Sequence, residues 1–354
     1  MARFSDVLTI VNGKNQAKVE NPNGKYPIYG SGGIMGYADD FLCDAQTVVI
    51  GRKGNINKPI YVEEPFWNVD TAFGLVANRK KLLPKYLFYF CVHFDFQKLN
   101  TTVTIPSLTK ANLLEIEIKL PSIEAQGKIV DELSSVDDLI SFRKQQLAKL
   151  DELVKARFVE MFIGKGYPKK TVDEVSLGKG EYGAQSASVE YEPTRPRYVR
   201  ITDINDDGTL NNDVVASINP ADDEQYKLEY GDFMFARMGA TVGKTYAFIE
   251  GNQIFAGYLI RYRLNQKLIN PRYLFWYTRL DEYWNWVKLN QSGAAQPGIN
   301  AKKYGSLQIP LPPIEQQNEF AAFVEQTDKS KLAVQQSLDK LETLKKALMQ
   351  KYFG

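Results

Sequence analysis

The chain has 354 residues, 44% hydrophobic and 24% charged, which suffices for two domains that each bury a core. Its 44 Lys and Arg against 42 Asp and Glu leave a formal charge of +2, so a nucleic-acid partner does not follow from net charge, and any basic surface has to be local. With Cys43 and Cys91 as the only cysteines, a disulfide scaffold and a four-thiolate zinc site are excluded.

The opening MARFSDVLTIVNGKNQ lacks a signal-like apolar run, and no stretch reaches ~18 uncharged apolar residues, so the chain is expected to be cytoplasmic, with no membrane contact. TVVIG at 47 and PIYV at 59 are β-branched and aromatic runs bounded by Gly, Asn and Pro, and predict strands. PKYLFYFCVHFDFQKL, from Pro84, is long and amphipathic enough for a helix with Pro in its first turn. IKLPSIEAQGKI at 118–129 opens another helix: Pro121 suits its first turn and Glu124 the positive end of its dipole. Downstream, Ile129, Leu133, Val136, Ile140, Leu147, Leu150, Val154 and Met161 step by four and three, with Arg143 and Arg157 in the two remaining places. That period predicts a coiled coil.

The second half repeats the first. DFMFA at 232 and YLIRYRL at 258 predict strands, PRYLFWYTRLDEYWNWVKL from Pro271 a helix, and IPLPPIEQQNEF at 309–320 a long helix start. Its seam of Phe320, Val324, Val334, Leu338, Leu341, Leu348 and Tyr352 is interrupted by Thr327, Lys331 and Lys345. Pro121 and Pro312 lie 191 residues apart, as do Pro106 and Pro297. Upstream the offset shrinks, through YLF at 86 and 273 and TVVIGRKG at 47 against DFMFARMG at 232, to FSDV at 4 and VDEV at 172. The second copy therefore carries about 17 extra residues ahead of Arg237, and a period this long means duplicated domains.

The expected fold is α+β: two similar globular heads, 1–121 and 165–312, separated by two long helices, 122–164 and 313–354. The helices are expected to run antiparallel as a coiled coil, giving an internal pseudo-twofold repeat, and roughly 39 residues make each about 58 Å long.

No catalytic constellation emerges. His93 is the lone histidine and reads as a packed or half-exposed helix residue, which removes the best carrier of triad and His-rich metal chemistry. GATVGKT at 239–245 has one residue too few for a phosphate loop and reads as a turn between strands; GSGGIMG at 30–36 fails the dinucleotide fingerprint by one position. PADDEQYK at 220–227 lacks nuclease spacing and reads as a solvated acidic loop. The chain is expected to bind rather than react.

Twin heads on a spacer suit a split linear target, and half-sites one duplex turn apart are separated by ~34 to 36 Å. Basic, amide, hydroxyl and aromatic residues cluster in the loops: Tyr29, Ser31, Tyr37, Arg52, Lys53, Asn55, Asn57 and Lys58 in the first head, and Arg197, Arg200, Thr202, Arg237, Thr241, Lys244 and Tyr246 in the second. Arg can read guanine, Asn adenine, and Lys can hold phosphate. Arg52 and Arg237, at the ends of matching strands, are the preferred pair. The competing reading is a scaffold whose twin domains grip a protein partner and touch no DNA.

YPIYGSGGIMGY followed by VVIGRKG, the IPSLT and QPGIN segments, and the doubled L-P-x-I-E-x-Q motif leading into long helices together resemble the DNA-specificity subunit of type I restriction-modification systems. The resemblance covers essentially the whole chain. It implies that each head is a target recognition domain reading one part of a bipartite asymmetric site in double-stranded DNA, and that the helices set the spacer. It further implies that the helices dock two methyltransferase (modification) subunits, and that restriction subunits can join. The chain itself would be non-catalytic and without cofactor, with S-adenosylmethionine, and ATP with Mg, used by the partners. No N-P-P-Y or D-P-P-Y methyltransferase motif occurs. Arg143, Arg157, Lys331 and Lys345, which interrupt the seams, are candidates for partner binding or for the exposed flank of the helix pair.

Overall fold

The computed structural model describes residues 1–99, 107–218, 224–293 and 297–354. Ile105, Pro106 and Gln296 of the repeated loop segments, and 220–223 of PADDEQYK, lie outside the described residues. The chain divides into two compact units, one of residues 1–146 with 334–354 and the other of 147–333. Each unit thus holds one head with a stretch of both long helices.

In the first unit, β1 (Ala2–Arg3) and a single helical turn α1 (Phe4–Val7) lead into β2 (Leu8–Asn12), the hairpin β3 (Tyr26–Gly30) and β4 (Gly33–Ala38), β5 (Thr47–Gly51), β6 (Ile60–Val62), β7 (Trp67–Asn68) and β8 (Ala72–Ala77). Then come α2 (Pro84–His93), α3 (Lys110–Leu114), β9 (Glu117–Ile118) and the long α4 (Ile123–Phe162). One sheet has the order β2-β8-β5-β6, all antiparallel; a second has β4-β3-β7, with β3 and β7 parallel; β9 returns to pair with β1. Every residue of β5 is buried, which is why TVVIG is an unbroken β-branched run rather than an alternating one.

The second unit repeats the main strands of this order. β10 (Lys169–Thr171), β11 (Glu181–Tyr182), β12 (Ser188–Glu190), β13 (Arg197–Val199), β14 (Ala216–Ile218), β15 (Asp232–Ala236), β16 (Thr245–Ala247), β17 (Gln253–Phe255) and β18 (Leu259–Arg263) precede α5 (Pro271–Tyr277), α6 (Asp281–Asn290), α7 (Ala301–Gly305), β19 (Gln308–Pro310) and the long α8 (Ile314–Phe353). The four-stranded sheet β11-β18-β15-β16 matches β2-β8-β5-β6, the parallel pair β13 and β17 matches β3 and β7, and β10 with β19 matches β1 with β9. The duplication is therefore one of topology as well as motif. The extra residues fall between β13 and β15, in the 200–231 stretch that holds a 3-10 turn at Ile201–Asp203 and β14.

The matched FSDV and VDEV segments are both closed by an acid three residues past the cap. In the first, Arg3 N–H donates to Asp6 Oδ2 at 3.1 Å; in the second, Thr171 N–H donates to Glu174 Oε2 at 2.8 Å while Glu174 N–H donates back to Thr171 Oγ1 at 3.3 Å. The Thr171 amide, Lys170 and the Thr171 hydroxyl hold the Glu174 carboxyl down at about 2, from an ordinary value of 4.5. A depressed carboxyl stabilises the fold above its unfolded pKa and loses that contribution as pH falls from about 4.5 toward about 2. Glu174→Gln is expected to flatten this acid limb in pH-dependent denaturation while leaving stability at pH 4.5 to 7 little changed in slope.

The doubled helix-start motif carries a buried amide. Gln126 is fully buried: Leu83 N–H donates to its Oε1 at 2.8 Å, and its Nε2 donates to the Lys81 and Pro121 carbonyls, both at 2.9 Å. Gln317 does the same in the second unit. Asn270 N–H donates to Oε1 at 2.9 Å, and Nε2 donates to the Leu268 carbonyl at 3.1 Å and the Pro312 carbonyl at 2.8 Å. Each glutamine fastens the start of a long helix to the N-cap of the head's aromatic helix, because Leu83 caps α2 and Asn270 caps α5.

The same aromatic helix also receives the end of the other long helix. In the first unit Phe353 lies 5.1 Å from the Tyr86 ring and 6.1 Å from Phe90; in the second Phe162 lies 4.9 Å from Tyr273 and 5.6 Å from Phe320. Within each unit the long helices are antiparallel, with Lys345 on Asp137 and Lys144 on Glu342 in the first, and Arg157 on Glu319 and Lys331 on Asp151 in the second.

Three details depart from the sequence expectation, the first being that the aromatic stretch from Pro84 is α-helical only to His93, with a 3-10 turn at Phe96–Leu99. The seam closes on Phe158 and Phe162 rather than on Arg157 and Met161, and on Phe353 rather than Tyr352. An α-helix of 3.6 residues per turn drifts ~20° per heptad, so the buried stripe has moved on by a residue at both far ends. The aromatic stretch from Pro271 is two helices: α5 stops as Thr278 turns its hydroxyl onto Thr245 Oγ1 at 2.8 Å, and Asp281 and Glu282 start α6.

Candidate nucleic-acid interface

In each head the strand that carries the nominated arginine ends in the same backbone arrangement. Arg52 N–H donates to the Thr71 carbonyl at 2.8 Å, and Leu108 N–H donates to the Arg52 carbonyl at 2.9 Å. Arg237 N–H donates to the Tyr258 carbonyl at 3.0 Å, and Ile299 N–H donates to the Arg237 carbonyl at 2.9 Å. The segments that contain IPSLT and QPGIN therefore lie against these two strand ends, which puts the repeated loops of each head beside its arginine.

Around Arg52 the surface is open. Arg52, Lys53, Asn55 and Lys58 are exposed, and the Arg52 guanidinium lies 5.7 Å over the Phe73 ring. The β3–β4 hairpin adjoins this loop, since a Cβ added to Gly51 would come within 3.0 Å of Ser31 Cβ. Its tip turns at Gly33, whose φ of +123° suits glycine, and presents Ile34, Met35 and Tyr37 to solvent at 55%, 63% and 45% exposure.

Two first-head candidates are spent elsewhere. Asn57 donates to Asp95 Oδ1 at 2.8 Å and accepts from Phe96 N–H at 2.7 Å, so its amide braces the loop after α2. Tyr29 packs edge-on against Phe66 at 5.4 Å, and burial pushes its phenol up. His93 is half-buried 6.3 Å from the Phe353 ring, with burial and the Lys119 and Lys98 charges lowering its pKa.

In the second head Arg197, Arg200 and Lys244 brace the extra stretch, and Thr241 and Tyr246 bond elsewhere. Arg200 pairs with buried Asp203 at 2.8 Å and donates to the Val214 carbonyl; Arg197 donates to Asn212 Oδ1 at 2.8 Å and to the Asn211 carbonyl. Lys244 pairs with Asp206 at 2.8 Å, Thr241 donates to the Met238 carbonyl at 3.1 Å, and Tyr246 donates to Gln253 Oε1 at 2.9 Å. Thr202 is exposed. GATVGKT forms the turn between the paired β15 and β16, with one 3-10 turn at Gly239–Thr241.

Arg237 is held differently. Its guanidinium sits 4.9 Å over the Tyr182 ring and 5.7 Å over the Tyr258 ring, and its Nε donates to the Gly257 carbonyl at 3.2 Å. Both tyrosines are substantially exposed, at 42% and 55%. Sequence reasoning nominated Arg237 but neither tyrosine, because residues 182, 237 and 258 come together only through the neighbouring strands β11, β18 and β15.

The four basic seam residues face the opposing helix. Arg143 donates to Ser337 Oγ at 3.2 Å and Gln146 Oε1 at 2.9 Å; Arg157 meets Glu160 at 2.9 Å and Glu319 at 3.1 Å; Lys345 meets Asp137 at 2.5 Å and Lys331 meets Asp151. These contacts account for the polar breaks in the seam within each unit.

A cavity of about 700 Å³ in the second unit is lined by Phe275 and Trp276, with Arg279 at its wall; of the nominated residues only Tyr246 and Lys331 reach it. Arg279 is stacked 3.5 Å over Phe275 and donates to Thr245, Thr278 and the Asp207 carbonyl, and burial lowers its pKa to about 10. It clamps the extra stretch at Gly208, where a side chain would collide with it. Among the described residues no group of three acidic, His or Cys side chains is placed to hold a metal, and no helix is long and apolar enough to cross a membrane.

Residues 1–152 and 175–343 match the type I restriction modification DNA specificity domain. A Haemophilus influenzae protein assigned as a type I restriction enzyme specificity subunit is 22% identical over 98% of this chain and 94% of its own length. The EcoDI specificity subunit of Escherichia coli is 20% identical over 99% and 86%. The fold is similar to the S subunit of a type I restriction-modification system from M. genitalium, with a TM-score of 0.65 at 15% identity over 99% of this chain and 95% of that one. It is also similar to a chain in a structure of type I system assembly and conformational transition, with a TM-score of 0.60 at 18% identity over 99% and 96%.

Proposed function

The chain belongs to the type I restriction-modification DNA specificity family, and from that premise we propose that its two heads each read one part of a bipartite, asymmetric duplex site for partner subunits that do the chemistry. The observation that carries this reading is the twin strand end: two heads of one topology, each offering an arginine beside its own copy of the same loop segment. Specificity is the job of the chain. Methyl transfer and cleavage belong to its partners, two modification subunits using S-adenosylmethionine and restriction subunits using ATP with Mg, and no catalytic role falls to any residue described above.

Chemistry supports the division. Exposed Arg52, Lys53 and Lys58 suit phosphate oxygens, while a planar guanidinium such as that of Arg237 can also address a base edge. Near-zero net charge means that the isolated chain has only local basic surface to offer.

The test is electrophoretic mobility with duplex DNA at low and moderate salt. The chain alone is expected to bind weakly with a steep salt dependence, and the complex with its modification subunits tightly. Arg52→Ala with Arg237→Ala is expected to weaken binding by the complex at least tenfold. No duplex binding by the complex at either salt concentration would leave a protein-only scaffold as the better account.

A further inference from the structure

Arg52 and Arg237 occupy matching positions but are held unlike one another. Arg52 is exposed over a single ring, and Thr71 stands where the second head has Tyr258, as their shared backbone bond to the arginine shows. Arg237 is half-buried, with its guanidinium over two exposed tyrosine rings and its Nε fixed to a carbonyl. Tyr182 is itself anchored, its hydroxyl accepting from Ala301 N–H at 3.2 Å.

This arrangement leaves a defined edge. With Nε committed and the ring contacts made, Nη1 and Nη2 of Arg237 form no hydrogen bond among the described residues. A guanidinium whose plane is fixed loses little rotamer freedom on binding, and two nitrogens on one edge match the O6 and N7 acceptors that guanine alone presents as a pair in the major groove. A loose arginine matches a phosphate equally well.

We propose that Arg237, held over the Tyr182 and Tyr258 rings, is the guanine-reading residue of the second head, whereas Arg52 holds a phosphate and carries no sequence information. This rests on the DNA-specificity reading above and adds to it a base, a head and a division of labour. Tyr182 and Tyr258 are positioning residues: they set the plane of the guanidinium and need not touch DNA.

The test uses the complex of the full chain with its modification subunits, and begins by mapping the adenines that the wild-type complex methylates. Failure to find a bipartite motif would defeat the specificity reading itself, independently of Arg237. Given the motif, each guanine of both half-sites is replaced in turn by 7-deazaguanine, which removes N7, and binding by the wild-type complex is measured. One guanine in one half-site is expected to cost about tenfold or more. Arg237→Lys, which keeps the charge but not the fork, is expected to make that base pair degenerate in the methylation map and to abolish its 7-deazaguanine effect. Tyr258→Phe keeps the wild-type map, while Tyr182→Ala with Tyr258→Ala relaxes the same position. Arg52→Ala is expected to lower binding at all sequences and to reduce the salt slope by about 1, with the motif unchanged. An unaltered motif with Arg237→Lys, or sensitivity to every guanine other than the one that Arg237→Lys relaxes, overturns the assignment. If the Arg237 variant does not assemble, the wild-type guanine scan still decides, because no sensitive guanine in either half-site also overturns it.

Discussion

Replacing Gln126 by Leu is expected to destabilise the first unit by ~3 kcal/mol or more, and Gln317→Leu to do the same to the second. Each change strands one N–H and two carbonyls, most of them part-buried, that bond the lost amide, at ~1 to 3 kcal/mol for each group. Leucine fills most of the volume, so the loss reports hydrogen bonding rather than a cavity. Because the two glutamines lie in separate units and share no partner, their effects should add in urea denaturation. Losses below ~1 kcal/mol at both sites would show that water replaces the amide and that the latch is not structural.

A comparable effect is expected at Arg261, which is 1% exposed on β18 and is the largest fully buried side chain by volume. It pairs with buried Asp232 at 3.5 Å and with Glu181, and it donates to the Lys227 carbonyl at 2.8 Å. Arg261→Met leaves Asp232 buried without its nearest cation, and breaking such a pair costs ~3 to 5 kcal/mol. The pH dependence supplies a second reading. Burial already raises the Asp232 carboxyl above its ordinary 3.8, although Arg261 and Arg263 oppose it. An acid raised in the folded state favours folding below its unfolded value, and that contribution is lost as pH rises through the folded value. Without Arg261 the rise is larger, so the Arg261→Met deficit should be smallest near pH 4 and grow toward neutrality. Asp232→Leu added to Arg261→Met should recover most of the loss; no recovery would place the cost in packing against Phe255, over which Arg261 lies at 4.7 Å.

The parts of this fold that were legible in the sequence are those written by burial and repetition. The buried runs of β5 and β15, the aromatic helices after them and the doubled helix start each state their environment locally, and the two four-stranded sheets follow one duplicated strand order. The far ends of the helices were read one residue out, because a strict heptad count ignores the drift of a straight helix that brings Phe162 and Phe353 inward.

The site was less legible because a side chain's availability depends on partners distant in sequence. Arg200 with Asp203 is a spacing that the sequence displays. Lys244 with Asp206, and Asn57 with Asp95, span 38 residues each and could not be anticipated. Gln126 and Gln317 stood in plain view in the repeated motif, where an amide kept at matching places in two copies was the available signal. What a lone sequence hides there is burial, and burial is what turns a polar residue at a helix start into a latch.

The compact units do not end where the heads do. Their boundaries fall inside the long helices, between Gln146 and Leu147 and between Ala333 and Val334. Each glutamine latch, each far-end aromatic contact and each cross-helix ion pair named above then lies wholly on one side of both cuts. For recombination between related genes this is a favourable pair of crossover points: an exchange there transplants a complete recognition module with its anchoring intact. A crossover placed at the visible junction of head and helix would instead separate Gln126 from Leu83, or Gln317 from Asn270. Joints in the middle of the helices thus keep every one of these anchoring contacts within a single parental segment.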